Sequence, residues 1–359
     1  MNEQRDIKSL SLNELGEALQ PLGFQKFRAG QIYQWLHQKM VTGFDEMSNL
    51  SLAQRSQLAK QFDLISLKPV EILISQIDGT RKYLFALPDG NVIESVWMQY
   101  KHGNSVCISS QVGCRMGCRF CASTLDGMVR NLRPSEMLEQ IYRIQADTGE
   151  RVSNVVIMGS GEPLDNYDNV IQFLHMISDE KGLHISERNI TLSTCGLVPQ
   201  MRRLAQEGLS VTLALSLHAP NDAVRQTLMP IAKRYALHDV LEACQYYFEK
   251  TGRRISFEYS LVNGVNDSRK DAEELASLLK GKNCHVNLIP VNPIKEREYT
   301  QSGMRKIENF QKTLEKSGIN VTIRREMGRD INGACGQLRK SYIQKERAQE
   351  SDFFEEAKT

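Results

Sequence analysis

The sequence predicts an α/β protein whose main body is a partial (β/α)6 barrel, preceded by a small N-terminal helical domain and a short β connector. Two observations carry this. From about residue 104 to about 325, β-rich runs (SVCISS, NVVIMG, NITLST, VTLALS, ISFEYSL, CHVNLIP and NVTIR) alternate with helical stretches such as PSEMLEQIYRIQ and DAEELASLLK. That alternation argues for parallel strands joined by crossover helices. Six or seven such units are also too few for the closed barrel of eight.

In chain order, residues 1–65 read as the helical domain: FRAGQIYQWLHQK carries apolar residues at helical spacing, and SLAQRSQLAKQF follows a serine suited to cap it. Residues 66–100 read as the connector, with two or three strands around the turn signals Asp78-Gly79 and Asp89-Gly90. Residues 101–340 form the barrel domain, and 341–359, ending AQESDFFEEAKT, a solvated tail. The 359 residues are 41% hydrophobic and 25% charged, the composition of an ordinary soluble protein. A net charge of +2 leaves any nucleic-acid binding to local patches rather than a global field. MNEQRDIKSL has no apolar signal core, and no run approaches the roughly 18 apolar residues of a membrane span, so a reducing, cytoplasmic location is expected.

Function begins with Cys114, Cys118 and Cys121 in GCRMGCRFC. Their C-x3-C-x2-C spacing is that of a radical S-adenosylmethionine (SAM) iron–sulfur site. A [4Fe–4S] cluster normally takes four thiolates; three leave one iron open for a ligand such as the amino and carboxylate groups of SAM. A structural zinc site would normally need a fourth ligand, often from a second Cys or His pair, and no such pair stands elsewhere in the chain.

Barrel enzymes place functional groups at the C-terminal ends of strands, and the cysteine loop follows the first strand directly. NVVIMG leads into Ser160-Gly161-Glu162-Pro163, where glycine permits close backbone approach and Glu162 offers a carboxylate to an ammonium; an ordinary turn would read the same. Later strand ends supply Ser193, Ser216, His218 and Asn292, suited to a ribose or the amino-acid end of SAM, although His218 taken alone reads as a hydrogen-bonded structural histidine. Cys335 lies between glycines 333 and 336 beyond the last strand, and Cys107 on the first strand reads alone as a small buried hydrophobe. Cys195, Cys244 and Cys284 read as structural. Arg115, Arg119, Arg130 and Arg133 near the cluster loop, with Arg324, Arg325, Arg329, Arg339 and Lys340 near Cys335, suit either solvated surface or a folded RNA.

CISSQVGCRMGCRFCAST, MGSGEPLDN, STCGLVP, SLHAPND, FEYSLVNGVND, NLIPVNP and DINGACGQL together closely resemble the RlmN family of dual-specificity RNA adenine-C2 methyltransferases. The match runs from FRAGQIYQWL to GACGQL. It implies a radical SAM barrel and methylation of an adenine in 23S rRNA, position 2503 in the peptidyl transferase centre, and of an adenine in tRNA. It also implies one [4Fe–4S] cluster on Cys114, Cys118 and Cys121, and SAM contacts from Gly161, Glu162, Ser193, Ser216, Leu217, His218 and Asn292. Cys335 matches the cysteine that is S-methylated, Cys107 its resolving partner through a transient disulfide, and Glu94 the proton acceptor. From its own surroundings Glu94 reads only as a solvent-facing strand residue. Ser160 and Cys195 fall at positions expected to vary.

The implied route uses two SAM molecules in turn, because the electron-poor C2 carbon cannot attack a SAM methyl group. Cys335 is methylated by displacement, and its methyl group, activated as a radical, then adds to C2. Loss of the C2 proton and attack by Cys107 release the product. The resemblance further implies a monomer served by a flavodoxin-like electron donor and a disulfide reductant. A related adenine-C8 methyltransferase would share both catalytic cysteines. A sulfur-inserting radical SAM enzyme would need further clustered cysteines, and a structural metal-bearing RNA-binding protein would have no use for a Cys107/Cys335 pair.

Overall fold

The structure, a computed structural model, describes residues 4–294, 296–331 and 342. Cys335, Arg339, Lys340 and the tail from 343 lie outside the described residues.

The N-terminal unit packs three helices: α1 (Leu12–Leu19), α2 (Lys26–His37) and α3 (Leu52–Gln61). Ser11 and Glu14 form a capping box at the start of α1, and Ser51 and Gln54 do the same for α3. Ile32, Tyr33 and Leu36 of α2 are wholly buried, the stripe that its apolar spacing foretells. A short parallel pair, β1 (Arg5–Asp6) with β2 (Phe62–Asp63), ties the two ends of this unit together.

A mixed sheet of ten described strands follows. Its antiparallel part is β3 (Lys68–Ile74), β4 (Arg81–Ala86) and β5 (Val92–Tyr100). Asp78-Gly79 and Asp89-Gly90 make the turns between them, each glycine with φ above 70°. β5 then pairs antiparallel with β6 (Gly103–Cys107), the first strand of the parallel part. This part continues through β9 (Val152–Ile157), β10 (Ile190–Thr194), β11 (Thr212–Ser216), β12 (Ile255–Leu261), β13 (Cys284–Pro290) and β14 (Asn320–Ile323). The crossovers are α4 (Pro134–Thr148), α5 (Tyr167–Ser178), α6 (Val198–Leu204), α7 (Asp222–Leu228) with α8 (Leu237–Thr251), α9 (Arg269–Leu279) and α10 (Met304–Lys316). Six strand–helix units and a seventh strand thus make the partial barrel, and β14 and β3 remain as separate edges among the described residues.

One expected detail changes. The cysteine loop does not leave β6 directly, because a ribbon of β7 (Gln111–Gly113) and β8 (Met128–Asn131) intervenes and closes its base. Strands this short carry no alternation in sequence, so nothing announces them.

The N-terminal unit is joined to the barrel by buried charge. Lys8 Nζ lies 2.5 Å from Glu139 Oε1 on α4, and both side chains are fully buried. Glu139 Oε2 also accepts the Leu67 N–H at 3.0 Å and lies 3.2 Å from Arg143 Nε. Lys8→Met is expected to lower unfolding free energy by about 3 kcal/mol, the lower end for a broken buried pair because Arg143 remains. Chemical denaturation measures this. Lys8→Met/Glu139→Leu should recover part of the loss; a double variant less stable than the single would contradict the account.

Candidate functional site

Two adjoining cavities open at the C-terminal ends of the parallel strands. The first, of about 260 Å³, is lined by Cys114, Cys118 and Cys121 together with Gly161, Glu162, Ser193, Ser216, His218 and Asn292. Residues from five separate segments, spread over nearly 180 positions, therefore converge on one space. Leu217 is buried beside it, and its N–H donates to the Glu258 carbonyl at 3.0 Å.

The cysteine loop is built to hold its shape. The Cys114 N–H donates to the Gly127 carbonyl (2.9 Å), and Thr124 Oγ1 donates to the Cys118 and Cys121 carbonyls (3.0 Å each). Gly113 sits at φ 76°, and a Cβ there would fall 2.0 Å from the Gly127 oxygen. Gly113→Ala should open this base, costing about 2 kcal/mol and lowering the iron bound per chain. Wild-type iron content and melting temperature in that variant would contradict the role given to the ribbon.

The thiols suit a cluster better than a single ion. Among the described residues, His238, Asp239 and Glu242, all exposed, are the one group of three metal-type side chains whose ligand atoms lie within 4.8 Å of one another. The three thiols share a cavity but do not all come within 4.8 Å of one another, and three thiolates are what a [4Fe–4S] cluster with one open iron takes. Burial pushes the Cys114 thiol up to about 12, with Cys121 and Glu162 adding to the shift, and pushes the Cys118 thiol well above its ordinary value. Iron offsets this cost, since a coordinating thiol is deprotonated outright.

Glu162 is buried and pinned. Its Oε1 accepts the Leu164 N–H (3.1 Å) and its Oε2 the Cys195 N–H (2.8 Å), which leaves further lone pairs for a ligand ammonium. Gly161, at φ 109°, lies so close to Gln111 that a Cβ would come within 2.6 Å of its side chain. Ser193 and Ser216 Oγ atoms stand 3.5 Å apart at neighbouring strand ends. His218 Nδ1 accepts the Ser260 N–H at 2.9 Å, which fixes the proton on Nε2. Burial, with Arg225 nearby, holds its pKa down to about 3, so the ring is neutral.

The second cavity, of about 420 Å³, is lined by Glu94 and Cys107. It shares Met158, Gly159, Ile289, Pro290, Asn292 and Arg324 with the first, so one wall serves both. Glu94 is not solvent-facing: it is 3% exposed and its Oε2 lies 3.1 Å from Lys82 Nζ. Every residue of β5 from Val92 to Met98 is buried, so neither side of this strand faces water. Burial pushes the Cys107 thiol up, and the Arg324 guanidinium is the largest opposing influence.

Several lining residues carried no signal in the sequence. Glu258 accepts hydrogen bonds from Ser256 (2.9 Å) and Asn287 (2.8 Å) and lines the first cavity. Cys195, read as structural, lines it too. Arg225 lies wholly buried beneath the rim, donating to the Cys195 carbonyl at 2.8 Å and the Leu217 carbonyl at 3.2 Å. On α7 it reads as an ordinary surface arginine. Of the basic residues, Arg115 pairs with Asp165 and Arg130 with Asp89 and Glu136, while Arg324, Arg325 and Arg329 line the second cavity.

The chain is similar to known proteins over nearly its whole length. The radical SAM superfamily matches residues 108–279, and the ribosomal RNA large subunit methyltransferase N-terminal domain matches residues 5–64. A probable dual-specificity RNA methyltransferase RlmN of Lachnospira eligens is 63% identical over 339 residues, 94% of this chain and 97% of that protein. Another of the same description, from Lachnoclostridium phytofermentans, is 64% identical over 98% of each chain. The crystal structure of a radical SAM methyltransferase from Sphaerobacter thermophilus superposes with a TM-score of 0.89 at 42% identity, over 93% of this chain and 98% of that one.

Proposed function

The chain belongs to the RlmN family of SAM-dependent radical SAM RNA methyltransferases, and from that premise we propose that it methylates C2 of an adenine in both 23S rRNA and tRNA. Its cofactors are a [4Fe–4S] cluster and SAM. The observation that carries the finer reading is the shared wall: a cluster-type cavity adjoins a second one holding a thiol and a carboxylate.

When bound, the cluster and SAM supply a radical able to take hydrogen from carbon. Cys114, Cys118 and Cys121 ligate the cluster. Glu162 receives the SAM ammonium, while Ser193, Ser216, Asn292, the Leu217 backbone and the Nε2–H of His218 orient its sugar and amino-acid end beside Gly161. In the second cavity Glu94 takes the proton from C2 and Cys107 frees the product by attacking the Cys335 sulfur. The reaction needs a one-electron donor and a disulfide reductant, and it takes place in the cytoplasm on a monomeric enzyme. No helix among the described residues is long and apolar enough to cross a membrane.

The test is mass spectrometry of ribosomal and transfer RNA from a strain lacking the gene. Loss of 2-methyladenosine from both RNAs, restored by the gene, is expected. Loss of 8-methyladenosine instead would move the chemistry to C8, and unchanged RNA would overturn the reading.

A further inference from the structure

The strand register lays three reactive groups on one face. Val96 of β5 stands opposite Lys82 of β4 on one side and opposite Cys107 of β6 on the other. Glu94 is two residues before Val96 and so projects from the same face. Lys82, Glu94 and Cys107 therefore face the same way across three adjacent strands, and Glu94 and Cys107 both line the second cavity. The Lys82 side chain is 0% exposed, with its ammonium 3.1 Å from Glu94 Oε2.

A buried ammonium and carboxylate are expensive to desolvate, and an apolar pair of similar volume would pack as well or better. The pair must be explained by what its charge does. We infer that Lys82 is a positioning residue whose ammonium keeps Glu94 ionised and aimed into the cavity beside Cys107, ready to accept a proton at neutral pH. The inference rests on the reading of Glu94 as proton acceptor.

The proton balance is simple. The C–H bond at C2 breaks, its electron pair stays with the ring, and the proton passes to a Glu94 oxygen. Without Lys82, burial favours the neutral carboxylic acid, which cannot accept a proton. Among the described residues, the other charged or titratable groups around this cavity are Tyr100 on β5, Cys107 on β6 and, across it, Arg324, Arg325, Glu326 and Arg329. The arginines oppose protonation of Glu94 but come from another segment, so they do not replace a contact at 3.1 Å.

Lys82→Met should move the acidic limb of the pH–rate profile upward by about two pH units, with turnover recovering toward pH 9. At pH 6.5, deuterium at C2 of the target adenine should slow this variant more than it slows wild type, because proton removal becomes limiting. Lys82→Arg, which keeps the charge, should return the limb toward its wild-type position. If Lys82→Met does not fold, Lys82→Gln carries the same test. An unmoved limb with an unchanged isotope effect would overturn the role of Lys82. The underlying reading has a separate failure: Glu94→Gln with wild-type turnover at every pH.

Discussion

Replacing Cys118 with alanine is expected to remove the visible absorbance and the iron of the purified protein and to bring RNA methylation to background, a loss of at least about three orders of magnitude. Three thiolates are the minimum that leaves a single iron open for SAM, and two cannot hold the same cubane in place. Cys118 is 8% exposed, in a loop whose backbone is pinned at Gly127 and Thr124. The loop keeps its shape without the thiol, so its loss is not offset by a neighbour moving in. Cys195, on the same cavity, is the one described cysteine near enough to test this: burial and the Glu162 carboxylate hold its thiol protonated. A Cys118→Ala protein that kept its iron would mean that Cys195 ligates.

The Cys107/Cys335 pair should separate into two distinct failures. On the proposed route Cys335→Ala should remove the methyl carrier, so that RNA methylation stops while the cluster absorbance stays. Cys107→Ala retains the carrier and loses only the release step, so protein and RNA should accumulate as a covalent adduct that migrates slowly on denaturing gels. Turnover falls to one round at most. Cys107 is a buried thiol on the same cavity as Glu94; burial pushes its pKa up, and Arg324 opposes that in part. Such a thiol attacks only when a sulfur is presented to it, which suits a resolving role better than a free nucleophile. Full turnover in either variant would sink the two-cysteine route.

The parts of the fold legible in the sequence are those under the strongest local rules. Strands buried between helices on one face and the cavity side on the other read as apolar runs, and all seven parallel strands lie where those runs fall. The Asp-Gly pairs mark the connector turns because glycine takes the positive φ they need. Cys114, Cys118 and Cys121 announce themselves because one short loop supplies all the ligands. Glu94 stays hidden because its partner, Lys82, sits on the neighbouring strand and pairing register is not written locally. Arg225 is hidden for a similar reason: what buries it is a set of carbonyls from the ends of other segments. The wall between the cavities, drawn from the ends of β9 and β13 and from Arg324, belongs to no motif at all.

That wall also sets an economy of reagents. A reactive carbon species that passes directly from one cavity to the other has few chances to take hydrogen from water or from the protein itself. Each such leak would consume a molecule of SAM without marking any RNA. Met158 and Ile289 are apolar residues common to both cavities, and on the proposed route their effect on such leaks should be read as a ratio: 5′-deoxyadenosine formed per methylated adenine. With the wall intact that ratio should stand near one. Trimming Met158 to alanine should raise it before it lowers the amount of RNA modified, because fidelity of coupling fails sooner than chemistry.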